Sequence, residues 1–383
     1  MSGRGPIIEP PPDPGPPIGL PPPTIEPPSA PPLIGAKPPA TPSTAPANVT
    51  SVSRPTDGIP QSGAQLWMRK WHLTVGPASG ETNKAIDLSL LDFEFDVQQE
   101  QNTPPWYAHI KVWNPGQSMI QKLAAKELTH VLLEAGYQSP SRQYGRLFTG
   151  QINYFKQGRQ SGTDHFVELY ASTFDMATNA AVVNTWLPAG HQAIDSIKAA
   201  VTAMSPYGVV LGQVPDDLDA AKSPRGRTLF GMARDILRDI ERTEEGHFFI
   251  DLDGKLHLLR DGDVLNMGSQ IVPILNAHTG LIDVPTRTME GAVEVVCLLN
   301  PAITPGMQIR LNNADVFGYT EVNNDAMIDD AQKFAFAQSI KHDDGYYPVG
   351  SVRHQGQNRG NPWYSHIVTQ KALQGVGLRT SIA

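Results

Sequence analysis

Few stretches of this chain bring chemistry-bearing residues together. The segment DLDGK, 251–255, sets Asp251 and Asp253 two apart, as the start of a calcium loop would. An EF-hand loop needs a further oxygen ligand two residues on and a glutamate at its twelfth position. Lys255 and Gly262 stand there, so the segment predicts a hairpin turn at Asp253-Gly254. In HDDGYY, 342–347, His342, Asp343 and Asp344 are adjacent. Adjacent residues in a turn rarely converge on one ion, and Asp-Gly is turn chemistry, so a loop is expected. Cys297 in VEVVCLL faces the same way as Val293, Val295 and Leu299, which predicts a buried thiol rather than a nucleophile. Asp92 and Glu94 leave one strand face together. Paired carboxylates serve glycosidases, but any solvated strand face shows them too. The eleven histidines are never paired at ligand spacing, and H-E-x-x-H, G-x-S-x-G and phosphate-loop patterns are absent. A triad built from residues distant in sequence stays open. The chain reads as a non-enzyme, with no cofactor and no metal expected.

The elements that would position such residues fall into blocks. Residues 1–60 hold 20 of the 35 prolines, and the first aromatic residue is Trp67. Such a segment cannot bury enough apolar surface to fold alone. Residues 6–46 favour polyproline II, so a 60-residue arm could reach on the order of 150 Å or more at roughly 3.1 Å per residue. Its apolar residues Ile7, Ile8, Ile18, Leu20, Ile25, Leu33 and Ile34 stand singly or in pairs between prolines. They are expected to anchor the arm in shallow grooves of a partner; a disordered spacer is the alternative. The net charge of the chain is −8, to which the arm adds −1 from three basic and four acidic residues. That excludes binding nucleic acid through a basic stripe. One cysteine allows neither an internal disulfide nor a thiolate zinc site. No run of 18 apolar residues predicts a membrane span. The start, MSGRGPIIEPPPDPGPP, lacks the apolar core of a secretory signal, so synthesis in a cytoplasm is expected.

From Trp67 onward the texture is β. In LLDFEFDV, Leu91, Phe93, Phe95 and Val97 alternate with Asp92, Glu94 and Asp96, giving one buried and one acidic face. AHIKVWNPG (108–116) is a second strand, GQSMIQKLAA a short helix, and ELTHVLLEAGY (127–137) a third strand. In YGRLFTGQINYFKQG (144–158), Phe148, Ile152 and Tyr154 share a face, with Gly150 in place of a fourth side chain. Leu147, Thr149, Gln151 and Asn153 share the other. GRQSG turns the chain into DHFVELYAS (164–172). Several short strands at this spacing predict a small antiparallel barrel or sandwich, and a glycine inside a strand marks a tight corner. The middle is α/β. AVVNTWL and GVVLGQV read as strands, and HQAIDSIKAAVTAM (191–204) as a helix burying Ile194, Ile197, Val201 and Met204. The whole of 226–246 reads as one helix, with Leu229, Ala233, Ile236, Leu237 and Ile240 on one face. HFFIDLDGKLHLLR is a hairpin. Residues 273–383 return to β in GAVEVVCLLN, GMQIRLNN, YYPVGSVRHQGQ and PWYSHIVTQKAL. The pattern of IDDAQKFAFAQSIK (328–341) fits helix or strand.

Several of these segments, in this order and spacing, resemble the baseplate hub proteins of long-tailed bacteriophages. They are VLLEAGY, LFTGQI, AVVNTWLPAG, SPRGRTLFGMARDILRDIERTEEGHFFIDLDGKLHLL, NAHTGLIDVPTRTMEGAVEVVCLLNP and DDGYYPVGSVRHQGQNRGNPWYSHIV. The same family includes the N-terminal part of the type VI secretion spike. The resemblance spans most of 67–370 and leaves the proline-rich arm uncovered. It implies a mainly β, α+β chain, with tube-type β-barrels at 61–175 and 273–383 and an α/β insert at 176–272, following the extended arm that composition marks at 1–60. It further implies a homotrimer whose six barrels mate a six-fold tail tube to a three-fold central spike at the distal end of a virion tail. Tape-measure and other baseplate proteins are then possible partners, and DNA passes through without specific binding. Asp92, Glu94 and Asp96 are expected to line the channel, where like charge would keep DNA sliding. A receptor-binding or fibre-attachment protein is the alternative, with a cell-wall hydrolase behind it.

Overall fold

The computed structural model describes residues 68–77, 84–102, 105–138, 143–219, 222–266, 272–288, 292–311, 317–318 and 345–370. The chain separates into Met1–Pro60 and Gln61–Ala383, and every described element belongs to the second unit. The arm residues Ile7, Ile8, Ile18, Leu20, Ile25, Leu33 and Ile34 lie outside the described residues. So do 328–341 and His342, Asp343 and Asp344.

The first β region runs β1 (Arg69–Gly76), β2 (Ile86–Asp87), β3 (Phe93–Glu100), β4 (Tyr107–Trp113), α1 (Gln117–Ala124), β5 (His130–Tyr137), β6 (Tyr144–Arg159) and β7 (His165–Ser172). The middle region holds α2 (Asp175–Ala180), β8 (Val182–Leu187), α3 (Ala193–Met204), β9 (Val210–Leu211), β10 (Arg227–Met232), α4 (Ala233–Glu244), β11 (Gly246–Ile250) and β12 (Lys255–Arg260). The last has β13 (Ile274–Leu275), β14 (Thr286–Arg287), β15 (Val293–Leu298), β16 (Gln308–Leu311), β17 (Phe317–Gly318), β18 (Tyr346–Gln357) and β19 (Trp363–Thr369).

Period-two patterning dictates most of these strands. On β3, Phe93, Phe95 and Val97 are buried while Glu94 and Asp96 stay partly exposed. One sheet takes strands from both β regions, in the order β17-β14-β15-β19-β18-β3-β4-β7-β6-β5-β1-β2, with β13 and β16 branching from β18. Its join is β18 against β3, antiparallel, from Ser351↔Glu100 to Gln357↔Glu94. No sheet among the described residues closes on itself, so the expected barrels stand as curved sheet rather than closed ladders. The curl is nonetheless tight. Trp363 of β19 meets Trp71 of β1 edge-on, with ring centroids 6.2 Å apart, and Phe95 at 5.5 Å. Arg69 on β1 donates to the carbonyls of Gln357, the last residue of β18, and of Asn361 in the turn after it. Side chains bridge this seam where no ladder does.

Strand β6 departs from simple alternation. Leu133 pairs with Phe148 and Glu134 with Arg146, so Leu147 is an extra residue, a β-bulge. Leu147 and Phe148 are therefore both buried, where alternation set them on opposite faces. A second shift makes Asn153 the extra residue between Ile152 and Tyr154. Beyond it Tyr154 turns out to solvent and Phe155 packs on the core in its place. Between the bulges, a Cβ on Gly150 would stand 2.5 Å from the Ser172 carbonyl oxygen and 2.7 Å from the Phe148 ring. The glycine lets β6 press against the end of β7.

The middle region has its own core, in which α3 and α4 pack over β8, β10, β11 and β12 through Ile197, Met204, Leu229, Leu237 and Leu258. The helix expected over 226–246 is shorter at its start. Arg227–Met232 is strand β10, paired with β8, and the helix begins at Ala233. Leu229 is buried as predicted, but from a strand. Its spacing of four from Ala233 satisfies both readings. Trp106, from the loop before β4, stacks on Phe249 of β11 at 6.4 Å and ties the first β region to the middle one.

Candidate functional site

The stripe Asp92, Glu94, Asp96 leads onto a sheet face crossing β6, β7, β4, β3 and β18. Cross-strand register sets two rows of side chains there. One row is Tyr154, Tyr170, His109, Asp96 and Gln355; the next is Lys156, Glu168, Lys111, Glu94 and Gln357. In the first row the rings of Tyr154 and Tyr170 stack at 4.4 Å, and Tyr170 stacks on His109 at 4.5 Å. Lys156 Nζ stands 5.0 Å from the Tyr170 ring centre, and Lys111 Nζ 4.3 Å from that of Phe166. Each such contact contributes about 0.5–1 kcal/mol at an exposed site.

The carboxylates are not a free acidic stripe. Arg353 on β18 donates through Nε to both Asp96 oxygens, at 2.9 and 3.1 Å, and Gln355 Nε2 donates to one at 3.2 Å. The Asp96 hydrogen bond raises the pKa of Arg353 above its ordinary value. Glu94 lies opposite Lys111, which reaches Glu168 at 3.8 Å. Along the second row the charges alternate, Lys156, Glu168, Lys111, Glu94, as cross-strand pairing favours. Asp92 keeps one carboxylate oxygen buried without a hydrogen-bond partner among the described residues. β3 alone reads acidic; its neighbours supply the cations.

The other sites of possible chemistry are spent on structure. Asp251 closes the β11–β12 turn by accepting from the backbone N–H groups of Asp253 (2.9 Å) and Lys255 (2.8 Å), and Asp253 pairs with Arg146. His257 accepts the Gln213 N–H at Nδ1, 2.9 Å, and its Nε2 lies 3.3 Å from Asp251. Burial pushes the Asp251 carboxyl up, but hydrogen bonds from His257 and the backbone of Lys255 and Asp253 outweigh it and lower the pKa. Both ring nitrogens are thus engaged within the chain. A cleft of about 680 Å³ opens beside it, lined by Trp106, Arg146, Gln213, Lys255 and Thr304 among others.

A second pair escaped sequence reasoning. His354 Nδ1 lies 2.8 Å from Ser365 Oγ, which accepts the Asn300 N–H at 3.0 Å. The arrangement has the look of a nucleophile with its base, but both residues are sealed inside the sheet core. Burial pushes the His354 pKa down to about 3, so the ring stays neutral. Only the β18–β19 register, His354↔Ser365, brings the two together. Alternation could have flagged both as inward-facing, not as partners. Cys297 is buried as expected, and burial pushes its pKa up to about 12. Among the described residues no cluster of His, Cys, Asp or Glu is placed to hold a metal ion, and no helix is long and apolar enough to cross a membrane.

No protein-family profile matches the chain, and no curated protein matches it by sequence. Solved structures do match. The 43 kDa tail protein of prophage MuSo2 from Shewanella oneidensis is similar over 79% of this chain and 97% of its own, with a TM-score of 0.48 and 8% identity. A tail protein from Neisseria meningitidis MC58 is similar over 79% and 96%, at 0.47 and 9%. The Escherichia coli c3393 protein, described as a component of the type VI secretion system, is similar over 74% of both chains, at 0.43 and 11%. These structural neighbours are described as tail proteins and as a type VI secretion component.

Proposed function

We propose that this chain is a structural hub of a phage tail baseplate. Three copies would form a ring that adapts a six-fold tail tube to a three-fold spike and leaves a channel for DNA. The observation that carries this is the β3–β18 junction, which joins the two β regions edge to edge in one continuous sheet. Two curved β units side by side, repeated by a three-fold axis, present six units around a ring. The middle region keeps its own core and leaves that sheet uninterrupted. The Ser–His pair and the thiol are sealed inside the fold, and the Asp–His pair is held in the β11–β12 turn by its own hydrogen bonds, which supports a scaffold reading.

The channel reading of Asp92, Glu94 and Asp96 is part of the proposal, in a changed form. With Asp96 matched by Arg353 and Glu94 opposite Lys111, the face is close to electrically neutral. DNA would slide past it because nothing attracts phosphate, rather than because the wall repels it. The proline-rich arm, with Ile7, Ile8, Ile18, Leu20, Ile25, Leu33 and Ile34 as anchors, is read as a strap lying along a neighbouring subunit or baseplate protein. One experiment tests the hub. The mass of the purified full-length chain in solution, with electron microscopy of the same sample, is expected to give a trimer and a three-fold ring with a central hole onto which Glu94 faces. A chain that stays monomeric at high concentration, without rings, overturns it.

A further inference from the structure

One surface of the middle region has no described element packed over it. Among the described residues β8 and β10 pair only with each other, in register from Arg227↔Leu187 to Met232↔Val182. The inward side chains Val183 and Leu229 close the core beneath α3 and α4. The outward ones include Trp186, Phe230 and Val182, at 67, 77 and 54% exposure. Trp186 and Phe230 stand on diagonally adjacent positions of the ribbon, within reach of one ligand. Large side chains grouped in this way mark an interaction site more often than idle surface. The patch is edged by charge. The segment entering β10 carries exposed Lys222, Arg225 and Arg227, and none of them forms an ion pair with a described residue. A Cβ at Gly226 would stand 3.6 Å from Trp186 Nε1, so the indole lies beside this cationic segment.

Aromatic rings next to cations are what an extended, acidic, proline-rich chain requires. Pyrrolidine rings pack on aromatic faces with little entropy lost, because polyproline II is already extended. Carboxylates between the prolines then meet the arginines through charge-assisted hydrogen bonds. The chain itself carries such a segment. Residues 6–34 hold Glu9, Asp13 and Glu26 and no lysine, arginine or histidine, a net charge of −3. Sixty-seven residues precede Met68, the first described residue, enough to span roughly 200 Å at about 3.1 Å per residue. We propose that the Trp186–Phe230 face of the β8–β10 ribbon is the seat for residues 6–34 of a second copy of this chain. Passed from each copy to the next around a three-fold axis, the strap makes a heterologous contact that closes after three. The inference rests on the strap reading of the arm and supplies its partner.

The test uses the full-length chain with Phe230 replaced by a photo-crosslinking phenylalanine analogue. After irradiation, covalent dimers are expected on a denaturing gel, with position 230 joined to a peptide from 6–34. Adding Trp186→Ser should cut the yield at least fivefold. Replacing Glu9, Asp13 and Glu26 by glutamine should cut it severalfold, with the larger loss at low salt. An excess of synthetic peptide 6–34 should suppress it, and binding of that peptide, fluorescently labelled, to the unaltered chain checks the seat without any substitution in the ribbon. Crosslinks within one chain, crosslinks to other segments, or no peptide binding overturn the proposal. The hub is judged separately by mass. A three-fold ring without the 230-to-arm crosslink removes the seat and keeps the hub; the crosslink in a particle without three-fold symmetry keeps the seat and removes the hub.

Discussion

Trp363 and Trp186 are residues of the same type on strands of the same chain, and they meet opposite fates. Trp363 is fully buried on β19, against Trp71 and Phe95, while Trp186 on β8 stays two-thirds exposed. The difference lies in the number of layers. The large sheet curls until its inner face meets itself, so an inward residue of β19 is covered from the β1 side. The β8–β10 ribbon has helices on one side and nothing described on the other. Polar groups follow the same division. On the outer face of the large sheet, charges pair across strands within the chain, as Asp96 does with Arg353. Beside the ribbon, Lys222, Arg225 and Arg227 have no ionic partner among the described residues. A side chain's partners thus depend on which strands register beside it.

The sharpest way to break this comparison is to truncate both tryptophans. Trp363→Ala is expected to cost about 3–5 kcal/mol, as losses of buried large aromatics do. At concentrations low enough to keep the chain monomeric, Trp186→Ala should stay within about 0.5 kcal/mol, as exposed substitutions do. Urea unfolding of the full chain measures both, and equal losses would show that the ribbon face is covered within the same molecule. Next comes pH. His354 is neutral in the fold, with its pKa pushed down to about 3, while in the unfolded chain it takes a proton near the ordinary value of 6.5. Below that value the unfolded state binds more protons, so stability is complete above it. It falls with decreasing pH at up to about 1.4 kcal/mol per unit until the folded pKa is reached. His354→Gln should remove this share of the slope when unfolding midpoints are followed from pH 7 to pH 4.5. An unchanged slope would mean that the imidazole is not sealed. The smallest effect belongs to the outer face. Asp96→Asn should cost about 0.2–1 kcal/mol, and less at high salt, because the pair is partly exposed. A larger loss, unaffected by salt, would show that the sheet junction leans on this ion pair.

Much of the fold is legible in the sequence because its signals are local. The alternation of Phe93, Phe95 and Val97 settles the inner face of β3, the stripe of Ile194, Ile197, Val201 and Met204 settles α3, and Asp253-Gly254 settles its hairpin. The failures have local causes too. β10 passes for helix because Leu229 and Ala233 sit four apart. β6 defeats alternation because the extra residues Leu147 and Asn153 break its period of two. The candidate site was half visible: the acidic side of β3 could be read, the cations facing it could not.

The sequence by itself determined which residues are apolar and at what period, where turns fall, that a single buried cysteine allows no internal disulfide, and that 1–60 differs in kind from the rest. Those properties depend on residues a few positions apart. Only the tertiary structure decided that Arg353 would answer Asp96 from 257 residues away, that His354 would meet Ser365 within a sealed core, and that no other described residue would bury Trp186. Each of these follows from strand register and sheet curvature. Register is fixed by all the strands of a sheet packing together, bulges included, so no single stretch of sequence contains it.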